Sequence, residues 1–192
     1  MCGSHGYGSK VLPYEESSRV PLIMFDPRHA NSGKKLRSAA LTGNVDFSPT
    51  ILELAGIDIP QGLDGRSLVS LYADPNAAIH ESLPLINVWG PKQVHSLGVV
   101  TKDWKYIFWS YAEGEFHPSE ELYDLDRDPL ELKNLAADAS QTAWLQEMRN
   151  VYDQHIAAWK VLAVPYNNYR KYATIFDRKI PWLQKRPLLT QK

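Results

Sequence analysis

The stretch SLGVVTKDWKYIFWSY, residues 96–111, reads as two β-strands joined by a tight turn. Val99, Val100, Trp104, Tyr106, Ile107, Phe108 and Trp109 are β-branched or aromatic, types that pack well on a pleated surface. The polar pair Lys102–Asp103 separates the two runs. Working outward, Pro84–Trp89 and Glu121–Leu125 are further candidates, so strands are expected at 84–89, 94–101, 104–111 and 121–125. Their links are short and polar or contain Gly and Pro, which favours an antiparallel meander over parallel pairing. Between Asp138 and Leu162, the residues Trp144, Leu145, Met148, Tyr152, His155, Ile156, Trp159 and Leu162 recur on one helical face. One long helix is therefore expected to cover the sheet in a small α+β sandwich, with His155 as a packed histidine.

Upstream, the chain reads differently. Residues 1–19 are punctuated by Gly3, Gly6, Gly8 and Pro13 and read as loop. Val20–Phe25, VPLIMF, is a short apolar run consistent with a buried strand. Ser48 and Pro49 predict a helix start, as N-cap and first helical residue, with Asp46 another acceptor at that start. Ile51, Leu52, Leu54 and Ala55 follow, and Gly56 is a natural stop. A second short apolar stretch is Leu68–Tyr72. One strand and two short helices do not make a complete fold. The expected division is therefore 1–80 as an incomplete unit, 81–164 as the sheet-plus-helix subdomain, and 165–192 as an extended basic wrapping tail.

Net charge is −1, which gives no reason to expect nucleic acid or an anionic membrane as partner. No apolar run is long enough to span a bilayer. Cys2 is the only cysteine, which excludes an internal disulfide framework and a Cys-cluster zinc site. Charge is uneven along the chain: residues 113–153 carry eleven acids against three bases, and residues 160–192 carry eight bases against one acid, Asp177. This pattern fits a solvated acidic face and a basic tail lying on the protein's own surface, with polyanion binding as the competing reading.

The opening MCGSHGYGSK combines three glycines with His5 and Lys10. Glycines let a backbone approach a ligand closely, Lys10 offers a point charge for an anion, and His5 a proton or hydrogen bond. Gly3 and Gly8 have the separation of a phosphate-binding P-loop, but Ser9 intervenes before Lys10 and Val11 follows it, so that pattern fails. Tyr123, Asp124, Asp126 and Asp128 suggest a calcium loop, yet the glycine and terminal Glu of an EF-hand do not follow.

With these residues in view, GSHGYGSKVLPYEESSRVPLIMFDP resembles a segment of the sulfatase family, in the alkaline-phosphatase-like superfamily. Members commonly carry Asp-His/Asn-Gly-x-Met-x-Gly-x-His-Gly, a lysine, then Tyr-Glu-x-x-x-Arg-Val-Pro-Leu-Ile. Met1, Gly3, His5, Gly6, Lys10, Tyr14, Glu15, Arg19, Val20, Pro21, Leu22 and Ile23 fall in step with it. NVDFSPTILELAGIDIPQGLDGRSLVSL, TKDWKYI and ELYDLDRDPLELKNLA resemble later family segments, so the likeness covers about residues 1–160.

The resemblance implies a partial α/β, alkaline-phosphatase-like fold, followed by the antiparallel-sheet subdomain. It implies hydrolysis of an aryl sulfate or a sulfated sugar through a formylglycine nucleophile, with calcium as cofactor. The nucleophile motif Cys-x-Pro/Ala-x-Arg does not fit Cys2, because Ser4 and Gly6 stand at the motif positions. Nucleophile and calcium ligands are therefore expected upstream of Met1, and the 192 residues alone are expected to be inactive and poorly stable. Lys10 matches the lysine that contacts the sulfate group. His5 either lines the pocket or holds the loop, and Arg19 and Glu15 are expected to be structural. Trp89, His95 and the Trp104–Tyr111 strand stand either as specificity elements or as aromatic core. Phosphonate or phosphate ester hydrolysis, and non-catalytic binding of a polyanion or protein partner, are the competing functions. Family members commonly work outside the cytoplasm, so a periplasmic or secreted setting is expected.

Overall fold

A computed structural model describes residues 4–6 and 10–190. Pro21–Leu83 forms one compact unit, and the described residues on either side of it form another. The described residues up to Val20 thus group with the sheet rather than with 21–80. Cys2, Gly3, Gly8 and Ser9, which entered the reading of the opening loop, lie outside the described residues.

The sheet contains β1 (Leu83–Asn87), β2 (Ser96–Val100), β3 (Trp104–Trp109) and β4 (Ser119–Asp124), in the order β1-β2-β3-β4. The antiparallel register sets Tyr106 opposite Val99 and Leu122, and Phe108 opposite Leu97 and Glu120. Side chains alternate across a strand, and in β3 both sets are covered. Trp104, Tyr106 and Phe108 join Leu97, Val99 and Leu122 in the main core, while Ile107 and Tyr123 join Leu12 and Tyr14 in a second cluster. The sheet therefore has three layers where two were expected. Gly98 shows why a small residue sits in β2: a Cβ there would come within 3.3 Å of Pro13 Cβ.

The main core is closed by a 21-residue helix, Thr142–Leu162, preceded by a 3-10 turn at Ala139–Gln141. Asp138 starts this turn by accepting a hydrogen bond from the Ser140 N–H. Leu145, Met148, Tyr152 and Ile156 are its buried residues, each contributing roughly 1.5–3 kcal/mol through apolar burial. Trp144 is partly exposed and stacks on Trp104 at 4.8 Å. Leu162 lies outside the buried stripe, and burial lowers the pKa of His155.

The expected extended tail folds instead into two short helices, Arg170–Ile175 and Trp182–Lys185. Its composition of bases and prolines hid Ile175 and Phe176, which enter the main core almost fully buried. The Tyr152 hydroxyl donates to the Phe176 carbonyl at 2.6 Å and fixes the return of the chain.

In the unit Pro21–Leu83, Leu68, Leu71 and Ile79 form a small core. Its helix begins at Phe47 and ends at Leu54, so Ser48 is not its cap. Asp46 is fully buried: its carboxylate accepts the Gly43 N–H at the start of the 3-10 turn Asn44–Asp46 that leads into this helix, accepts the Arg66 N–H, and pairs with His80 Nε2 at 2.7 Å. Thr50 bridges by donating to the Asp46 carbonyl and accepting from the Leu68 N–H. VPLIMF forms no strand: no other strand lies beside it among the described residues. Ile23 is 91% exposed and Phe25 74% exposed, and Ile51 on the helix also faces outward.

Candidate functional site

Lys10 lies at the exposed start of the segment that crosses the outer face of the sheet. Immediately after it, Leu12, Pro13 and Tyr14 are buried, and Leu12 and Tyr14 pack against Ile107 and Tyr123. An exposed cation thus sits on a backbone anchored within two residues. The chain then turns through a short helix, Glu15–Ser18.

Three polar devices hold this segment. The Glu121 carboxylate on β4 accepts from Tyr14 and Tyr123 hydroxyls, each at 3.0 Å, and from the Trp109 indole N–H at 2.9 Å. Burial, with the Glu121 charge nearby, raises the Tyr123 pKa and keeps its hydroxyl a donor. The Lys105 ammonium, fully buried on β3, meets Glu15 Oε1 and Glu131 Oε1, both at 2.8 Å. Glu131 Oε2 accepts the Glu15 N–H at 2.5 Å. Burial pushes the Glu131 pKa up, and Lys105 opposes that shift.

His5 stacks on Tyr14, ring centroids 4.0 Å apart and planes 4° from parallel. Its backbone lies in the left-handed region, φ 55°, unusual for a residue with a Cβ. Its Nε2 is 3.6 Å from Glu16 Oε2. Of the two roles open to His5, holding the loop is the one these contacts serve. Glu15 is structural, as expected, and Arg19 reaches it at 3.6 Å from a largely exposed position.

Other sequence candidates separate. His95 is buried, its Nε2 3.3 Å from the Gly90 carbonyl and its ring edge-on to Tyr172, and burial lowers its pKa. Trp89, by contrast, is 71% exposed. Asp124 and Asp128 accept the N–H groups of Arg127 and Lys133, so this stretch is a turn. Calcium takes six to eight oxygen ligands. Among the described residues the group of three converging ligand side chains is His5, Glu16 and Glu131. With a histidine and only two carboxylates, these residues do not fit calcium.

Sequence reasoning missed Lys105, Glu131 and Glu121. The available signal was Lys105 itself, a lysine inside the otherwise apolar run WKYIFW. A charge at that position of a doubly covered strand requires a buried partner.

Residues 3–158 match the family model for N-sulphoglucosamine sulphohydrolase, C-terminal. An arylsulfatase of Clostridium perfringens is 35% identical over 136 residues, covering 70% of this chain and 27% of that protein. N-acetylglucosamine-6-O-sulfatase of Bacteroides thetaiotaomicron is 29% identical over 158 residues, covering 79% and 27%. A solved structure in complex with its substrate D-glucosamine-2-N,6-O-disulfate superposes with a TM-score of 0.73 at 27% identity, covering 84% of this chain and 33% of that one. The chain spans about a quarter to a third of the length of these relatives. No helix among the described residues is long and apolar enough to cross a membrane. Ordered sequence motifs, the four-stranded antiparallel sheet with its long helix, and the match over residues 3–158 lead to one assignment: the chain belongs to the sulfatase family, as a region of the N-sulphoglucosamine sulphohydrolase C-terminal type.

Proposed function

We propose that this chain serves as the C-terminal part of a sulfatase and supplies Lys10 as a cation that meets the sulfate group of a sulfated sugar or aryl ester. The observation that carries the reading is the position of Lys10, exposed yet two residues from the buried Leu12. The family match supports it, and the relatives' names favour sulfate over phosphate or phosphonate esters. The sugar class is favoured by the neighbour bound to a disulfated glucosamine.

A lysine ammonium is a compact charge that can face one or two sulfate oxygens. Held by an anchored backbone, it needs little reorganisation as negative charge builds on those oxygens, which is the condition for electrostatic stabilisation of a transition state. This chain's part is to bind and orient the sulfate. Within the proposal, the formylglycine nucleophile and the calcium come from outside these 192 residues, and the chain alone does not turn over.

The test is kinetic. In a sulfatase carrying this sequence as its C-terminal part, Lys10→Ala is expected to lower kcat/KM towards a sulfated glucosamine by about 10²–10³-fold. Unchanged kcat/KM would refute the role. Turnover by residues 1–192 alone would refute the division of labour.

A further inference from the structure

Three side chains from separate parts of the sequence converge beside the Lys105 ion pair. His5 comes from the turn Ser4–Gly6, Glu16 from the helix Glu15–Ser18, and Glu131 from the loop after β4. Their ligand atoms all lie within 4.8 Å of one another. Among the described residues, His5 Nε2 and Glu16 Oε2 are sealed from solvent and form no hydrogen bond, facing each other at 3.6 Å, while Glu131 Oε1, equally sealed, faces the Lys105 ammonium at 2.8 Å. The Glu131 side chain is completely buried. Buried polar atoms are nearly always satisfied, so two sealed atoms without a hydrogen bond, beside a carboxylate oxygen that has a lone pair to spare, call for a partner.

The charges indicate its sign. Glu15, Glu16 and Glu131 bring three negative charges against one buried positive charge, that of Lys105. Arg19 is 78% exposed and therefore largely screened. The remaining excess of two is what a divalent cation neutralises.

We propose that His5, Glu16 and Glu131 bind a divalent transition-metal ion of the zinc type. One imidazole nitrogen with two carboxylate oxygens is a zinc-type donor set, whereas calcium and magnesium select oxygen alone. Zinc holds such atoms at about 2.0–2.2 Å, which puts neighbouring ligands of a tetrahedral site roughly 3.3 Å apart. His5 Nε2 and Glu16 Oε2, at 3.6 Å, are nearly there already. Glu131 needs an approach of about 1.5 Å at most to meet the same spacing. The fourth position is left to water. The ion ties the turn before Lys10 to the sheet and fixes His5 in its left-handed backbone conformation. This inference does not depend on the sulfatase reading.

The test is titration of the untagged chain with zinc chloride, followed by calorimetry and by metal analysis after dialysis. One zinc per chain is expected, with His5→Gln and Glu16→Gln each weakening binding by at least roughly tenfold. His117→Gln, at an exposed site, leaves binding unchanged. Far-UV circular dichroism checks that each variant is folded. Cobalt(II) in place of zinc is expected to give the visible absorption of a four-coordinate centre, lost in His5→Gln. No saturable binding by the unmodified chain overturns the proposal. So does zinc binding that survives both substitutions, or a cobalt spectrum that His5→Gln leaves intact.

Discussion

Lys105 and Glu131 face each other at 2.8 Å with neither side chain exposed to solvent. The pair joins the middle of the sheet to the loop after β4, and Glu15 joins it from the N-terminal segment. Lys105→Met leaves carboxylates buried without their cation and is expected to cost about 3–5 kcal/mol in urea unfolding. Burial already raises the Glu131 pKa above 4.5. A raised carboxylate contributes stability that is present below its unfolded pKa and lost as pH rises through the folded one. The deficit of Lys105→Met is therefore expected to shrink as pH is lowered from neutrality towards 4.5. A deficit independent of pH would contradict this account.

Glu120 behaves in the opposite sense. Burial pushes its pKa up, but bonds from Arg149 and from the Tyr106 hydroxyl outweigh that and hold it below 4.5. Its contribution is present above pH 4.5 and is lost as pH falls through the lowered value. Glu120→Gln is expected to cost about 1–3 kcal/mol at neutral pH and to flatten the acid limb of the stability curve. Thermal melts between pH 3 and pH 7, about the range over which a carboxylate titrates, provide the check.

Lys185 offers a gain. It is 2% exposed, and burial lowers its pKa to about 8, so at neutral pH the fold carries a cation it disfavours. The ammonium sits 5.1 Å from the Phe108 ring centre, which offsets part of that cost. Because the folded pKa is depressed, the penalty builds as pH falls from 10.5 to about 8, is fully present below that, and vanishes above the unfolded value of 10.5. Lys185→Met is expected to stabilise the chain by roughly 1–2 kcal/mol at pH 7, with the gain gone at alkaline pH. Equal melting temperatures at pH 7 would sink the idea.

Tyr152→Phe removes one hydroxyl and leaves the Phe176 carbonyl without its buried donor. A loss of about 1–3 kcal/mol is expected, with the effect concentrated in the C-terminal helices. Hydrogen exchange provides the check: amides of residues 170–176 gain exchange rate first, ahead of those in β2 and β3.

The sheet was legible because β2 and β3 are doubly covered and therefore apolar and β-rich along their length. The long helix was legible because Leu145, Met148, Tyr152 and Ile156 keep helical spacing. The tail was not, since Ile175 and Phe176 form too short an apolar signal among prolines and bases to mark a docking element. VPLIMF has the composition of a strand, but composition cannot supply the neighbour that a strand must bond to. At the candidate site, Lys10 and His5 were recognisable through the order of motifs around them. Glu131 and Glu121 were not. Their roles arise from register and from contacts spanning more than a hundred residues, such as Glu15 to Glu131.

The exposed run Val20–Phe25 also bears on how many copies of the chain behave together. An exposed, apolar, uncharged hexapeptide that joins no sheet among the described residues is a template for pairing with its own kind. Loss of the chain from solution is therefore expected to quicken as its concentration is raised. A single charge in this run, as in Ile23→Lys, acts as a gatekeeper by making two such segments repel each other while disturbing little inside a molecule where Ile23 already faces water.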